Sequence, residues 1–557
     1  MANFLLINYP GYPATLREFY LDNGLSNLAV SLKARGHTPY ILDYANPDLI
    51  SWFFPYRHYN EIQNIVNEIK MCQKKNVVPD KKIINKFYEV DDKINNYQIE
   101  RINEFTHQEI IKKIREFKPE IIGFKLWIGE GFVNSIKIAE TIKREFPDVR
   151  IFAGGPQVDW FGENIYRFGF GEFFEALAYG EGEETICDIA DYVEGKIKLQ
   201  DIPNLIYKEN DSIKKTFTKR IENLESIEMP VYSEDIYYPM DDNKKIKIIM
   251  LDESRGCPNK CSFCMHPNKS GNYWRTKKPE KIVDEIEYLV KNYRTNIFRF
   301  AGSNPPPHLK RGIAQEIIKR GLKIKYGAFG HARGMTFDDY KLLKESGCIS
   351  LFFGVESGSQ YILDKAMNKG NKVNQIKESL IMCREAGIKA IASIIMPSPF
   401  DTEETMEETY KLLVETRPSS VIVNIPGALP NTKWFEARDY YGFKIDDVDS
   451  FLSRGMSYSI KNFYPPELWR DFVDYKLGDL TINQIVNIAA KFTRRLHNAG
   501  ISTRVTDDLS VLVEALKMDQ DELINETWAY LSGGNQKGIE DIISKINSSI
   551  RNSLNGD

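Results

Sequence analysis

Cys257, Cys261 and Cys264 fall within eight residues, in the run Gly-Cys-Pro-Asn-Lys-Cys-Ser-Phe-Cys that starts at Gly256. Three thiolates from one short loop can hold three corners of a cubane iron-sulfur cluster and leave the fourth iron free to bind another molecule. Such an open iron does chemistry rather than bracing a fold. The alternative is zinc, with His266 as a fourth ligand, because closed zinc sites take four Cys or His ligands in a tetrahedral array. Zinc motifs usually pair their ligands in two separated knuckles, and the sequence has no second cysteine pair. The remaining thiols, Cys72, Cys187, Cys348 and Cys383, stand singly, as small buried hydrophobes do. With no secretory pattern in view, a disulfide framework is not expected.

A loop with this task must be presented by a rigid frame. Ile246 to Leu251 is an apolar run that reads as a strand leading straight into it. Further strands are expected at Ile297 to Phe300, Ile324 to Phe329, Ser350 to Val355, Ala390 to Ile395 and Ser420 to Ile425. Helical periodicity fills the gaps between them, at Ile282 to Tyr293, Gly312 to Arg320, Asp338 to Ser346, Val373 to Ala386 and Glu403 to Thr416. Six β-α units make an incomplete version of the eightfold barrel, whose active sites lie at the carboxyl ends of the strands. On that rim stand His331 and Arg333 after the third strand, and Glu356 and Ser357 after the fourth. A carboxylate beside a hydroxyl suits a ribose diol or an ammonium group, whereas Ser in that place also suits a capping turn. His331 is a candidate proton acceptor, since an imidazole titrates near neutrality.

Ahead of the barrel, strands at Phe4 to Asn8, Tyr40 to Leu42, Ile121 to Phe124, Val149 to Ala153 and Ala176 to Tyr179 alternate with helices. That alternation implies an α/β unit, a doubly wound parallel sheet with helices on both faces. Its strands end in small residues, Gly154-Gly155-Pro156 and Gly180-Glu181-Gly182, and such sheets take ligands beyond those ends. Tight turns alone would ask for the same glycines. Residues 50–118 interrupt the sheet as a polar helical insertion, expected either as a lid or as an outer ornament. We expect domains at 1–205, 246–441 and 442–557, with 206–245, where periodicity is lost, as a linker. In the last part Leu468 to Tyr475, Ile482 to Leu496 and Leu509 to Met518 read as amphipathic helices, a cap expected to shape the substrate pocket.

Composition sets outer bounds. With 557 residues the chain exceeds one ordinary core, and 42% hydrophobic with 27% charged residues is a soluble globular balance. No apolar run nears the roughly 20 residues that cross a bilayer, so a cytoplasmic protein is expected. A net charge of −4, from 74 basic and 78 acidic residues, gives no general pull toward nucleic acid or anionic membrane.

The cysteine triplet with Phe263 before its last thiol resembles the cluster motif of radical S-adenosylmethionine (SAM) enzymes. The opening Tyr-Pro-Gly, the Leu-rich helix to Gly36 and the two glycine segments look like the cobalamin-binding domain placed before such cores. The resemblance implies a 4Fe-4S cluster on Cys257, Cys261 and Cys264, SAM chelating the open iron, and cobalamin in the first domain. It further implies Phe263 near the adenine, Gly302 and Ser303 at the methionine amino group, and Glu356 and Ser357 on SAM. Arg333 matches an arginine that pairs with the SAM carboxylate. Pro10, Trp127, Gly154, Gly155, Pro156, Glu181 and Gly182 are the implied cobalamin contacts. The chain departs from the family in lacking an Asp-x-His-x-x-Gly loop for the lower face of cobalt, and in Pro305-Pro306-Pro307 after the second strand.

The activity this implies is methylation of an unactivated carbon, or phosphorus, of a natural-product or peptide precursor, with an electron donor such as flavodoxin or ferredoxin as partner. Radical cyclisation, ring contraction or oxidation is the alternative within enzymes. A cobalamin- or iron-responsive binding protein without turnover is the alternative outside them.

Overall fold

The computed structural model describes the whole chain apart from residues 76, 78, 303, 458–473 and 556–557. Its first sheet forms where apolar runs meet. β1 (Asn3–Asn8), β2 (Thr38–Asp43), β3 (Ile121–Lys125), β4 (Arg150–Gly154) and β5 (Ala176–Ala178) lie parallel in the order β5-β4-β3-β1-β2. The helix Asn23–Ala34 starts where the Asp22 carboxylate accepts from the Leu25 amide (2.9 Å), and buries Leu25, Ala29 and Leu32. A cap of this kind contributes about 1 kcal/mol.

The stretch expected as a linker is instead part of this sheet. β6 (Leu205–Glu209) and β7 (Ser212–Lys215) form a hairpin that extends β5 antiparallel, and β8 (Tyr237–Tyr238) pairs with β2 at the other edge. Asn210 and Asp211 both take positive φ, as a two-residue hairpin turn requires. The polar composition that read as linker is that of an edge hairpin, where Lys208, Lys214 and Lys215 face water. Residues 50–118 are helical as expected, with Asp48–Phe53, Tyr59–Lys74 and Lys81–Phe105 packed on one another.

The second sheet begins with β9 (Ile249–Leu251), and a small ribbon of β10 (Ser254–Arg255) and β11 (Arg275–Thr276) flanks the cysteine loop. β12 (Ile297–Phe300), β13 (Lys325–Phe329), β14 (Cys348–Glu356), β15 (Lys389–Ile395) and β16 (Ser420–Asn424) follow, and all six main strands are parallel in chain order. The three prolines after β12 do not make only a stiff loop. Pro307 opens the helix Pro307–Lys319, a full turn earlier than periodicity suggests, because proline lacks the amide that a first helical turn leaves unpaired.

The C-terminal helices lie elsewhere than expected. Asp507–Leu516 and Gln536–Asn555 cover the amino ends of the second sheet, away from the cysteines. There Ser350 donates to the Asp507 carbonyl (3.4 Å), Lys325 pairs with Glu514 (3.1 Å) and the Asn547 side chain accepts from the Lys247 amide (2.9 Å). They close the bottom of the sheet rather than shape the pocket at its top. Among the described C-terminal residues, Val448–Ser457 reaches the carboxyl edge of the first sheet through Met456, whose carbonyl accepts from Gln157 (2.9 Å), and Tyr475 donates to the Pro426 carbonyl just past β16. The helix expected over Leu468 to Tyr475 lies, but for its last two residues, outside the described ones.

One apolar core joins the two sheets. Leu21, Leu25 and Ala29 from the first unit pack in the same cluster as Ile249, Leu251 and Ile282 from the second. Each such buried side chain contributes about 1.5–3 kcal/mol, so the units are docked by burial and not merely tethered.

Candidate active site

The cysteine loop hangs from the carboxyl end of β9 and is held by backbone contacts. Gly256 takes φ +82°, and a Cβ there would stand 2.0 Å from the Tyr273 carbonyl oxygen. Gly256→Ala is therefore expected to cost ~1–3 kcal/mol in backbone strain, or more with the clash, and to impair iron uptake while cooperative unfolding persists. A calorimetric melt and an iron assay on the same sample check this. The Cys257 amide donates to the Gly271 carbonyl (3.1 Å) and the Cys264 amide to that of Cys261 (3.1 Å). The His266 amide points at the Cys264 sulfur (3.4 Å), and the Asn304 amide group reaches the Cys257 sulfur (3.9 Å).

Burial, joined by the neighbouring Cys264 and Cys257, pushes the Cys261 thiol up to about 11, while Lys369 pulls the other way. Burial likewise raises Cys264. Cys261 and Cys264, raised in this way, become thiolates more readily beside positive charge, which a metal centre supplies. Among the described residues no three His, Cys, Asp or Glu side chains converge as one bound ion would need. A cubane asks for a wider triangle, since each thiolate binds a different iron.

The other side chains singled out from sequence divide into three groups. Phe263 and Glu356 sit at the cysteine loop. The Phe263 ring is 5.7 Å from that of Trp434, and the buried Glu356 carboxylate accepts from Lys369 (2.8 Å). Glu356 has φ +62°, a strained backbone of the kind that clusters at functional sites.

A second group braces loops. Arg333 donates to the Asn259 side chain (3.0 Å) and to the Gly370 carbonyl (3.2 Å), which ties the cysteine loop to the turn after β14. His331 accepts from the Arg333 amide (3.1 Å), and burial with Lys310 nearby holds its pKa down to about 4, so it is neutral at neutral pH. The Ser357 hydroxyl is shared between the Thr409 hydroxyl (3.2 Å) and the Ser359 amide (3.1 Å), the capping-turn arrangement. Gly302 packs on the first loop, its amide donating to Glu253 (2.9 Å), a carboxyl that burial raises to about 7. Ser303 lies outside the described residues.

The third group faces the first sheet. Gly154, Gly155, Pro156, Glu181 and Gly182 line a cavity of about 390 Å³ that runs from the strand ends to Leu6, Phe152, Ile186 and Ile189, beneath the helices Asn23–Ala34 and Glu183–Val193. A Cβ on Gly155, where φ is +103°, would come within 3.1 Å of the Leu126 carbonyl oxygen. That volume is in the range of cofactor sites, and the far wall comes from the cysteine unit, through Asp252, Ser254, Arg255, His266 and Lys269. Pro10 and Trp127 stand outside this lining. Trp127 donates to Asn8 (2.6 Å) with Lys125 over its ring.

The clasp between the two units is ionic and was not legible from sequence. Arg275 meets the Glu181 carboxylate with both guanidinium nitrogens (2.5 and 2.9 Å), and the Ile221 amide donates to the same carboxylate (2.8 Å). Arg255, two residues before Cys257, pairs with Glu183 and with Asp252 (2.7 Å). Lys269 pairs with Asp159 (2.7 Å). Glu181 thus anchors an arginine at the wall of the cavity and does not stand free for a cofactor. A charged residue flanking the cysteines was the available signal, but nothing in the sequence named its partner.

The model of the radical SAM superfamily matches residues 254–413, the span from the cysteine loop into the helix after β15. The chain thus carries a radical SAM domain over that span. Over 338 residues it is 28% identical to an uncharacterized methyltransferase of Pyrococcus horikoshii, covering 60% of this chain and 72% of the relative. It is 27% identical to an anaerobic magnesium-protoporphyrin IX monomethyl ester cyclase of Rubrivivax gelatinosus, covering 57% of this chain and 58% of the cyclase. The fold is similar along its length to the radical SAM methyltransferase TsrM from Kitasatospora setae, solved with cobalamin and a [4Fe-4S] cluster. That likeness has a TM-score of 0.62, covers 98% and 99% of the two chains, and has 14% identity. Among the described residues no helix is long and apolar enough to cross a membrane.

Proposed function

We propose that this chain is a cobalamin-dependent radical SAM methyltransferase acting on an unactivated carbon. Cys257, Cys261 and Cys264 would hold the 4Fe-4S cluster, and Phe263 and Glu356 would lie along SAM. Gly154, Gly155, Pro156 and Gly182 would floor the cobalamin site. We read the second sheet as an open (β/α)6 barrel over 246–441, with the first unit reaching past 205 to take in the hairpin and β8. When bound, these groups supply a carbon radical made from SAM and a cobalt centre that carries a methyl group.

The chain's own residues bring the sites together. The observation that carries the reading is that one wall of the glycine-floored cavity is built from residues flanking the cysteine loop, Asp252, Ser254, Arg255, His266, Lys269 and Ser270. The residues of that wall would hold the two groups at a fixed separation, and fixed geometry removes the entropy of encounter. The ion pairs of Arg255, Arg275 and Lys269 hold that wall in place. An external one-electron donor, of the flavodoxin or ferredoxin kind, would serve the cluster.

The test is product analysis of anaerobically reconstituted protein given cobalamin, SAM, a reductant and candidate substrates. Methyl transfer yields 5'-deoxyadenosine and S-adenosylhomocysteine together, with the methylated product. The cyclase among the relatives motivates the second arm: deoxyadenosine without S-adenosylhomocysteine would replace methyl transfer by cyclisation or oxidation. No SAM cleavage under any reducing condition would leave a binding protein.

A further inference from the structure

The turn after β14 carries a lysine that the reaction scheme above does not use. Asn368 takes a left-handed φ of +48° at the end of the helical turn Leu363–Met367, and Lys369 follows. This turn is clasped to the cysteine loop at three places. The Ser262 amide donates to the Met367 carbonyl (2.8 Å), the Asn368 side chain to the Lys260 carbonyl (2.9 Å), and Arg333 bridges Asn259 and Gly370.

Its position fixes the Lys369 ammonium. Nζ lies 2.8 Å from a Glu356 carboxylate oxygen and 5.8 Å from the centre of the Phe263 ring, with 13% of the side chain exposed. Because Phe263 stands between Cys261 and Cys264 in the loop, this places the ammonium at those two cysteines. β14 leaves space for it: a Cβ on Gly354 would stand 2.8 Å from Nζ and 2.5 Å from the Glu356 oxygen. A buried lysine whose carboxylate partner is itself held in strained backbone is a placed charge, not a solvated one.

We propose that Lys369 is a positioning residue that sets the reduction potential of the cluster by holding a fixed positive charge beside Cys261 and Cys264. The inference rests on the cluster assignment made above. The step is the arrival of one electron from an external low-potential donor; no bond forms or breaks, and the added negative charge is stabilised by the ammonium. Glu356, its ion-pair partner, opposes this charge and so limits it.

The experiment is a redox titration, by electron paramagnetic resonance with dithionite and mediators, of cluster-loaded native protein, Lys369→Gln, Lys369→Arg and Glu356→Gln. Lys369→Gln should lower the reduced-to-oxidised ratio at a given potential about tenfold, equivalent to about 59 mV for a one-electron couple. Lys369→Arg should titrate as native does. Glu356→Gln should shift the ratio the opposite way, since the ammonium then acts unopposed. A Lys369→Gln ratio within about twofold of native, well short of that tenfold shift, would overturn the proposal. Should Lys369→Gln fail to hold a cluster, an unmoved potential in Glu356→Gln overturns it equally. A native protein with no cubane signal refutes the cluster assignment beneath it, an outcome distinct from both.

Discussion

Glu181→Ala should lower the unfolding free energy by about 3–5 kcal/mol, because it leaves the Arg275 guanidinium buried without its carboxylate. Both side chains are under 7% exposed, so solvent screens the pair little. The companion measurement is the Glu181→Met, Arg275→Met double variant. It removes both charges and should recover most of the loss, since a buried pair replaced by apolar groups is often near neutral. Denaturant unfolding of the cofactor-free protein gives both values. The two units share an apolar core, so the single variant should still unfold as one cooperative unit, only earlier. If Glu181 instead served only as a cofactor ligand, the cofactor-free variant would unfold like the native protein and only cobalamin affinity would fall.

Cys261→Ala is expected to abolish the cluster and lower SAM cleavage at least ~1000-fold, because ligands that act as a unit fail together. Stability should change little. Cys261 stands half-buried in a loop braced by backbone bonds from Cys257, Ser262 and Cys264, none of which needs the Cys261 sulfur. Iron content, visible absorbance and deoxyadenosine formation read the first effect, and a thermal melt reads the second. Cobalamin uptake by this variant should stay close to native, since Gly154, Gly155 and Gly182 floor a cavity that Cys261 does not line. Full cluster absorbance in the variant would contradict the ligand assignment.

What could be read from the sequence was what is local. Three thiols within eight residues define their site by themselves, and the strands β9 and β12 to β16 announce themselves as apolar runs between helical periods. Gly155 also proved informative, because a positive φ with a carbonyl oxygen 3.1 Å from where a Cβ would stand leaves its mark in residue type. Long-range pairing leaves no such mark. Glu181 finds Arg275 across 94 positions of chain, and Lys369 meets the cysteine loop only after three further strands of the second sheet have been laid down.

Amphipathic pattern has the same limit. The apolar faces of Asp507–Leu516 and Gln536–Asn555 show that something is covered, but not that it is the amino ends of the second sheet. In the segment 206–245 the error ran the other way. Short edge strands with alternating lysines look like linker, because an edge exposes one face and both of its ends. Ser357 and Arg333 carry the right chemistry for SAM, yet their polar atoms are engaged by Thr409, Ser359, Asn259 and Gly370. Composition cannot distinguish a residue that touches a ligand from one that holds the loop beside it.

The claim on which the rest depends is that three cysteines hold a cluster with one iron open to SAM. Electron paramagnetic resonance of anaerobically purified, dithionite-reduced protein tests it most directly, recorded with and without SAM beside a metal analysis. We expect about four irons per chain and a reduced-cluster signal whose shape changes when SAM is added. A single tetrahedral metal ion per chain, or a cluster signal indifferent to SAM, would contradict the account.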